Sequence, residues 1–148
     1  MWPQVLIALL LSAFNVLIHS LGSYAIFIWI VHAFRKNPTP TLVRGWSMMI
    51  RLIVGLLLLH ALEVAVWAQF FIFRQLFPTA ETAYYYSITS YTTVGYGDVV
   101  LPPSWRIMGG WEAMVGVLMF GWSTASIISL LHHLQEGRIK RIEAGAFH

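Results

Sequence analysis

Thr92-Thr93-Val94-Gly95-Tyr96-Gly97-Asp98 is the stretch of this 148-residue chain that carries most information about its fold. Successive carbonyl groups of an extended chain point in alternating directions. Turning several of them toward one axis requires residues at positive φ, which glycine reaches without steric cost. Gly95 and Gly97 have the spacing that such a backbone needs. A lone Gly-x-Gly is usually just a turn, but the complete string predicts a loop with aligned carbonyl groups.

The composition around this string is typical of a membrane protein. Hydrophobic residues make up 58% of the chain and charged residues 10%, with a mean hydropathy of +0.70. This is too apolar for a soluble domain of this length. A spanning helix needs about 20 mostly apolar residues, and segments 5–34, 46–73 and 105–134 qualify. The stretch 79–91 is too short to span and predicts a re-entrant helix. The chain has no cysteine, so disulfides are excluded.

Basic residues predict the orientation of these segments. The residues concerned are Arg35, Lys36 and Arg44 between the first two segments, and Arg138, Lys140 and Arg141 after the third. By the positive-inside rule both places are cytoplasmic, which leaves the N-terminus and Asp98 outside. The same rule accounts for the net charge of +3, so no nucleic-acid partner is expected. The first segment lacks a basic n-region, and we expect a retained helix rather than a signal peptide.

Helix-breaking residues divide the chain. Residues 1–36 form an additional N-terminal transmembrane helix, and Asn37-Pro38-Thr39-Pro40 opens a cytoplasmic loop over 37–45. Residues 46–134 are one unit, and 135–148 form a short basic cytoplasmic tail. The predicted parts of the unit are an outer helix 46–77, a short helix 79–91 with Thr79 as N-cap, the loop 92–98 and an inner helix 104–134. Irregular backbone at membrane depth must be buried in protein or line a water-filled path. One chain offers too little protein for this, so several copies should surround the loop.

Residues 79–134 resemble the pore module of the potassium channel superfamily, particularly its small bacterial members. The resemblance rests on the short helix, the Thr-Val-Gly-Tyr-Gly string and the apolar helix after it. It implies an all-α membrane protein with three transmembrane helices, a re-entrant pore helix and a selectivity-filter loop, homotetrameric around a central pore. It also implies a potassium-selective channel of a bacterial cytoplasmic membrane, with lipid and K⁺ as its partners and the N-terminus outside. It says nothing about the role of the first helix.

The same resemblance assigns roles to residues of the loop and the pore helix. Rings of backbone carbonyls from four chains replace the hydration shell of K⁺. The implied ion ligands are Thr93, Val94, Gly95, Tyr96 and Gly97, with K⁺ bound at the first four. Thr92 and Asp98 support the filter, and Asp98 bonds back to the pore helix. Many relatives have a tryptophan pair there, whereas this chain has Tyr84-Tyr85-Tyr86, so Tyr85 and Tyr86 are the expected supports. No cofactor is expected, and no nucleophile and base occur together, so an enzyme is not expected.

Two further sets of residues allow more than one interpretation. Gly116 and Gly121 are candidates for a gating hinge of the inner helix, but glycine also permits close helix packing. His60, Glu63 and Glu112 are intramembrane polar groups, which are costly and usually mark a function or a buried pair. They form either a pH-sensitive cluster behind the filter or a structural network between the helices. Asn15 and His19 of the first helix are expected to be polar groups on its packing face, and His132 and His133 to be interface residues. Arg51 stands alone, so no voltage sensor is expected.

Three functions are compatible with these patterns. The leading one is the potassium-selective channel. The second is a membrane subunit of a K⁺ uptake transporter, and the third is a non-conducting accessory or sensor protein. Such transporters carry four repeats with degenerate filters in one chain, whereas this chain has one complete string and no internal repeat.

Overall fold

The computed structural model describes residues 2–36 and 41–145. The α-helices in these ranges are α1 (Trp2–Lys36), α2 (Leu42–Phe73), α3 (Ala80–Tyr91) and α4 (Arg106–Gly145), and a 3₁₀ turn (Pro103–Trp105) precedes α4. These ranges contain no strand, and α1, α2 and the helical segment Pro103–Ile139 are long and apolar enough to cross a membrane. The predicted all-helical membrane class is therefore confirmed. The predicted break at 37–40 lies outside the described residues.

The structure corrects both ends of the predicted outer helix 46–77, which is observed as Leu42–Phe73. Gln75 adopts a φ of 53°. Its N–H donates to the carbonyl of Ile72 at 2.9 Å, and the next N–H, of Leu76, donates to Phe71 at 3.0 Å. These two bonds form a Schellman motif, which ends the helix before the proline that the sequence prediction relied on. At the other end, Gly45 lets the first turn of α2 pack on Leu134 of α4.

The structure also corrects the predicted inner helix 104–134 and the separate tail 135–148. The helix α4 continues without a break to Gly145 and has 40 residues. Residues 135–145 contain no proline and are mostly good helix formers, so nothing in the sequence stops the helix at 134. At 1.5 Å per residue α4 is about 60 Å long, whereas a hydrocarbon core is about 30 Å thick. One end of α4 must therefore extend well beyond the membrane.

The short helix α3 is packed between α2 and α4. The buried core at this level contains Trp67 and Phe71 of α2, Ala83, Tyr86 and Tyr91 of α3, and Met108, Val115 and Met119 of α4. A second buried cluster joins α2 to Leu130 near the other end of α4. The helix α1 packs against both α2 and α4 and buries Asn15 and His19. This arrangement holds α3 and the 92–98 loop at one end of the helical layer.

Candidate functional site

The helix α3 is defined at its start by a side-chain cap and at its end by the loop that follows. The Thr79 hydroxyl accepts a hydrogen bond from the N–H of Thr82 at 3.1 Å, so the N-cap predicted from the sequence is confirmed. Glu81 lies in the first turn, where the helix dipole favours a negative charge. The opposite, partly negative end of the dipole lies at Tyr91, directly before the 92–98 loop.

The first residues of the loop fold back onto the last turn of α3. The Thr92 hydroxyl donates to the carbonyl of Ile88 at 2.6 Å. The N–H of Thr93 donates to the carbonyl of Ser90 at 2.9 Å, and the N–H of Gly95 donates to the carbonyl of Thr89 at 3.0 Å. The start of the loop is therefore fixed to α3 by its own backbone.

Every second residue of the loop has a positive φ. The angles are 62° at Thr93, 51° at Gly95 and 81° at Gly97, and Val94 and Tyr96 between them are not positive. The two glycines were predicted to adopt this conformation. Thr93 was not, because positive φ is sterically costly for a β-branched residue. Thr93 lies two residues before Gly95, just as Gly95 lies two residues before Gly97. This equal spacing is the sequence signal that could have predicted a positive φ at Thr93.

The loop is exposed in a single chain. Residues 93–98 are all exposed, with Val94 at 51% and Tyr96 at 72% of their full accessibility. A Cβ placed on Gly95 or Gly97 would meet no described atom within 4 Å. The chain therefore fixes the start of the loop but does not cover it.

Asp98 is held by α3 through one of the two tyrosines that the sequence indicated. The Tyr85 hydroxyl donates to Asp98 Oδ2 at 2.7 Å, and this bond raises the pKa of the Tyr85 phenol. The neighbouring Tyr86 does not lie at this position, contrary to the prediction. Its ring packs in the core, with ring centroids 5.5 Å from Phe71 and 5.0 Å from Phe77. The period of the helix separates these adjacent side chains and turns Tyr86 toward α2 and α4.

Of the two proposed hinge glycines, one lies in a tight contact. A Cβ on Gly116 would overlap the carbonyl oxygen of Tyr91 and lie 2.9 Å from its carbonyl carbon. Gly121 has nothing described within 4 Å of the same position. The helix α4 is unbroken through both residues. Gly116 is therefore explained by close packing of α4 against the end of α3. A further glycine, Gly109, closely approaches the side-chain hydroxyl of Tyr86, and the sequence did not single it out.

A buried polar cluster, here called the His19 cluster, joins α1 and α2 to the end of α3. It consists of His19, His60, Glu63 and Tyr91. His19 Nδ1 lies 2.7 Å from Glu63 Oε1, and the Tyr91 hydroxyl donates to Glu63 Oε2. His60 Nδ1 lies 3.1 Å from the Tyr91 hydroxyl and 3.4 Å from Glu63 Oε2. The sequence placed His60 and Glu63 together but missed His19 and Tyr91, which come from distant parts of the chain.

Glu112 does not belong to this cluster, contrary to the prediction that grouped it with His60 and Glu63. Its side chain is completely buried on α4, beside Ser87 of α3. Neither carboxyl oxygen of Glu112, nor the Ser87 hydroxyl, has a hydrogen-bond partner within the described residues. The predicted network is thus two separate polar sites, the His19 cluster at Tyr91 and Glu112 beside Ser87.

The chain was compared with protein families and with known proteins. The model of a family described as "Ion channel" matches residues 56–133, just over half of the chain. The potassium voltage-gated channel protein shk-1 of Caenorhabditis elegans is 32% identical over an alignment of 71 residues that covers 46% of this chain and 13% of that protein. The chain therefore spans a small part of the length of this relative. No solved structure is a significant match. The family match includes α3, the 92–98 loop and most of α2 and α4, but it leaves out α1.

Proposed function

The chain belongs to the ion channel family, and on this basis we propose that four copies of it form a potassium-selective channel with residues 92–98 as the filter. As a family member with three apolar helices it is a multi-pass membrane channel and not an enzyme. The assignment of residues 92–98 as a potassium filter depends mainly on one observation, the alternation of positive φ at Thr93, Gly95 and Gly97. This alternation supports a backbone that turns successive carbonyl groups toward one axis.

In the proposed filter the ligands are backbone carbonyls. Those of Thr93, Val94, Gly95 and Tyr96 from four chains form rings that replace the hydration shell of K⁺, and Gly97 completes the turn outward. The partly negative end of α3 at Tyr91 favours a cation waiting below the rings. The Gly95–Thr89 bond fixes the inner part of the loop, and the Tyr85–Asp98 bond fixes its outer end. Passive conduction along such a path requires no cofactor besides the permeant K⁺.

The exposure of the loop supports the proposed tetramer. Irregular backbone at membrane depth is tolerated only when protein buries it or when it lines a water-filled path. In a single chain the side chains of Val94 and Tyr96 remain exposed. Neighbouring copies would cover these side chains while the carbonyl groups line the shared axis, with α3 entering the membrane as a re-entrant helix. We place the N-terminus outside and the extended end of α4 in the cytoplasm, because the positive-inside rule puts Arg35, Lys36 and Arg138 on the cytoplasmic side. The choice of a bacterial cytoplasmic membrane depends only on the resemblance of residues 79–134 to the small bacterial potassium channels.

Ion flux into liposomes that contain only this protein tests the proposal. The wild type should pass K⁺ and exclude Na⁺. Gly95→Ala should abolish K⁺-selective flux while the protein still reaches the membrane, because alanine is strained at a φ of 51°. Gly110→Ala is the matched control, since this glycine also has open space around it but no positive φ, and it should conduct normally. Equal Na⁺ and K⁺ flux in the wild type, or unchanged selectivity in Gly95→Ala, would refute the filter assignment.

A further inference from the structure

The His19 cluster has the composition of a metal-binding site. The ligand atoms of His19, His60 and Glu63 all lie within 4.8 Å of one another. The Tyr91 hydroxyl adds a fourth possible donor, because it is hydrogen-bonded to Glu63 and lies 3.1 Å from His60 Nδ1. Two of these residues, His19 and Glu63, are completely buried. Four donor atoms from three helices thus converge on one small volume inside the protein.

The spacing of these donors fits a tetrahedral ion. Ligands at about 2.0–2.1 Å from Zn²⁺ lie about 3.3 Å apart around a tetrahedron. His19 Nδ1 lies 2.7 Å from Glu63 Oε1, which is shorter than this value, and His60 Nδ1 lies 3.4 Å from Oε2 of the same carboxylate, which is close to it. The second nitrogen of His60, Nε2, lies 3.0 Å from the Ser123 hydroxyl. Metal-bound histidines almost always have such a partner on the nitrogen that does not bind the metal; His60 has one, whereas Nε2 of His19 has none within the described residues.

The charge of the cluster also favours a bound cation. Glu63 is a buried carboxyl group at membrane depth, where an isolated charge is costly. Its polar contacts in the described part of the chain are the two histidines and Tyr91, with no lysine or arginine among them. Two imidazole nitrogens with a carboxylate are suited to zinc and its first-row neighbours, and the Tyr91 hydroxyl lies beside them as a further oxygen. Calcium and magnesium prefer sites made of oxygen atoms alone.

We propose that His19, His60, Glu63 and Tyr91 bind a transition-metal dication of the zinc class. The ion would join α1, which lies outside the family match, to α2 and to the residue directly before Thr92. It would therefore hold α1 against the base of the proposed filter. This gives α1 a structural role, whereas ion conduction through residues 92–98 alone gives it none.

Metal titration of the purified full-length protein in detergent tests this proposal. Zn²⁺ should bind with one saturable site per chain and raise the melting temperature, since a ligand that binds only the folded state stabilises it. Co²⁺ should give the visible absorption bands of a tetrahedral site, and Zn²⁺ should displace it. Ser123→Ala should weaken binding about 10- to 100-fold, as removal of such supporting partners typically does. His19→Ala and Glu63→Gln should weaken it at least as much.

His132→Ala is the matched control, because it also removes one histidine but from an exposed position on α4. It should bind Zn²⁺ like the wild type. If His19→Ala does not remain monodisperse, His19→Gln and Glu63→Gln are measured in its place. The absence of a saturable site in the wild type would overturn the proposal, and so would wild-type affinity in these variants or loss of binding in His132→Ala. The titration involves no ion flux, so its outcome is independent of the channel assay.

Discussion

Replacing Gly116 with alanine should loosen the contact between α4 and the base of α3. The added Cβ would overlap the carbonyl oxygen of Tyr91, and it would lie 2.9 Å from the carbonyl carbon and 3.2 Å from the ring Cγ. Carbon atoms pack best at about 3.5–4.0 Å. The nearest atom is the carbonyl oxygen, so the two helices must separate by about 1 Å or more near this point. The obstacle is the backbone directly before the 92–98 loop, which a change of side-chain rotamer cannot move.

The magnitude follows from two opposing effects. Overpacking of a well-packed contact costs about 1–3 kcal/mol, and a rigid backbone neighbour favours the upper end. Alanine in place of glycine in a helix gains about 1 kcal/mol. The net destabilisation of Gly116→Ala is therefore about 2 kcal/mol, which corresponds to a decrease of roughly 4–8 °C in the melting temperature for a protein of this size.

Gly121→Ala is the matched control, five residues further along the same helix. Nothing described lies within 4 Å of its new Cβ, so the helix-propensity gain of about 1 kcal/mol should remain. Thermal unfolding of both variants in detergent checks the prediction, and liposome flux measured beside it separates packing from gating. If Gly116→Ala melts at the wild-type temperature and changes only the open probability, Gly116 acts as a hinge and the packing interpretation is wrong.

Three other predictions concern α3 and its neighbours. Tyr85→Phe removes the hydrogen bond to Asp98 and should lower the selectivity for K⁺ over Na⁺ in reversal-potential measurements. Tyr84→Phe is the control and should leave the selectivity unchanged. Equal effects of the two variants would contradict a role for the Tyr85–Asp98 bond in selectivity. Glu112→Gln should leave assembly and melting temperature unchanged, because the carboxyl group has no hydrogen-bond partner in the described chain. Glu112→Ala should destabilise the protein by about 2 kcal/mol through the cavity it leaves. A sharp loss of conductance with intact assembly in both variants would place the side chain in the ion path. Thr79→Ala should cost about 1 kcal/mol by removing the α3 cap, and an unchanged melting temperature would show that the cap is dispensable.

Local patterns were sufficient to predict the parts of the fold that local chemistry decides. The lengths of the apolar segments predicted the three membrane-crossing helices, and Thr79 indicated where α3 begins. The glycines indicated positive φ at two loop positions because glycine adopts that conformation without strain. The end of α2 could not be predicted in this way. It depends on Gln75 in a left-handed conformation that glycine usually supplies.

Contacts between distant parts of the chain could not be predicted from local patterns. His19 meets Glu63 across 44 residues of sequence, and Glu63 meets Tyr91 across 28. The sequence showed that these residues were polar and at membrane depth, but the packing of α1 against α2 decides which of them meet. Glu112 is buried beside Ser87 of α3 and is not among the side chains that contact Glu63, and helix periodicity alone does not reveal this difference. The tight contact of Gly116 with Tyr91 is likewise a property of how α4 packs on α3.

A density map of the purified protein in K⁺ is the most direct test of the proposed filter. The account predicts four copies around one axis, with the carbonyl groups of residues 93–96 facing it and ion density between their rings. It further predicts that Val94 and Tyr96 pack against protein and not lipid. A monomer, a dimer without a closed axis, or a tetramer in which the 92–98 loop lies away from the axis would contradict the account.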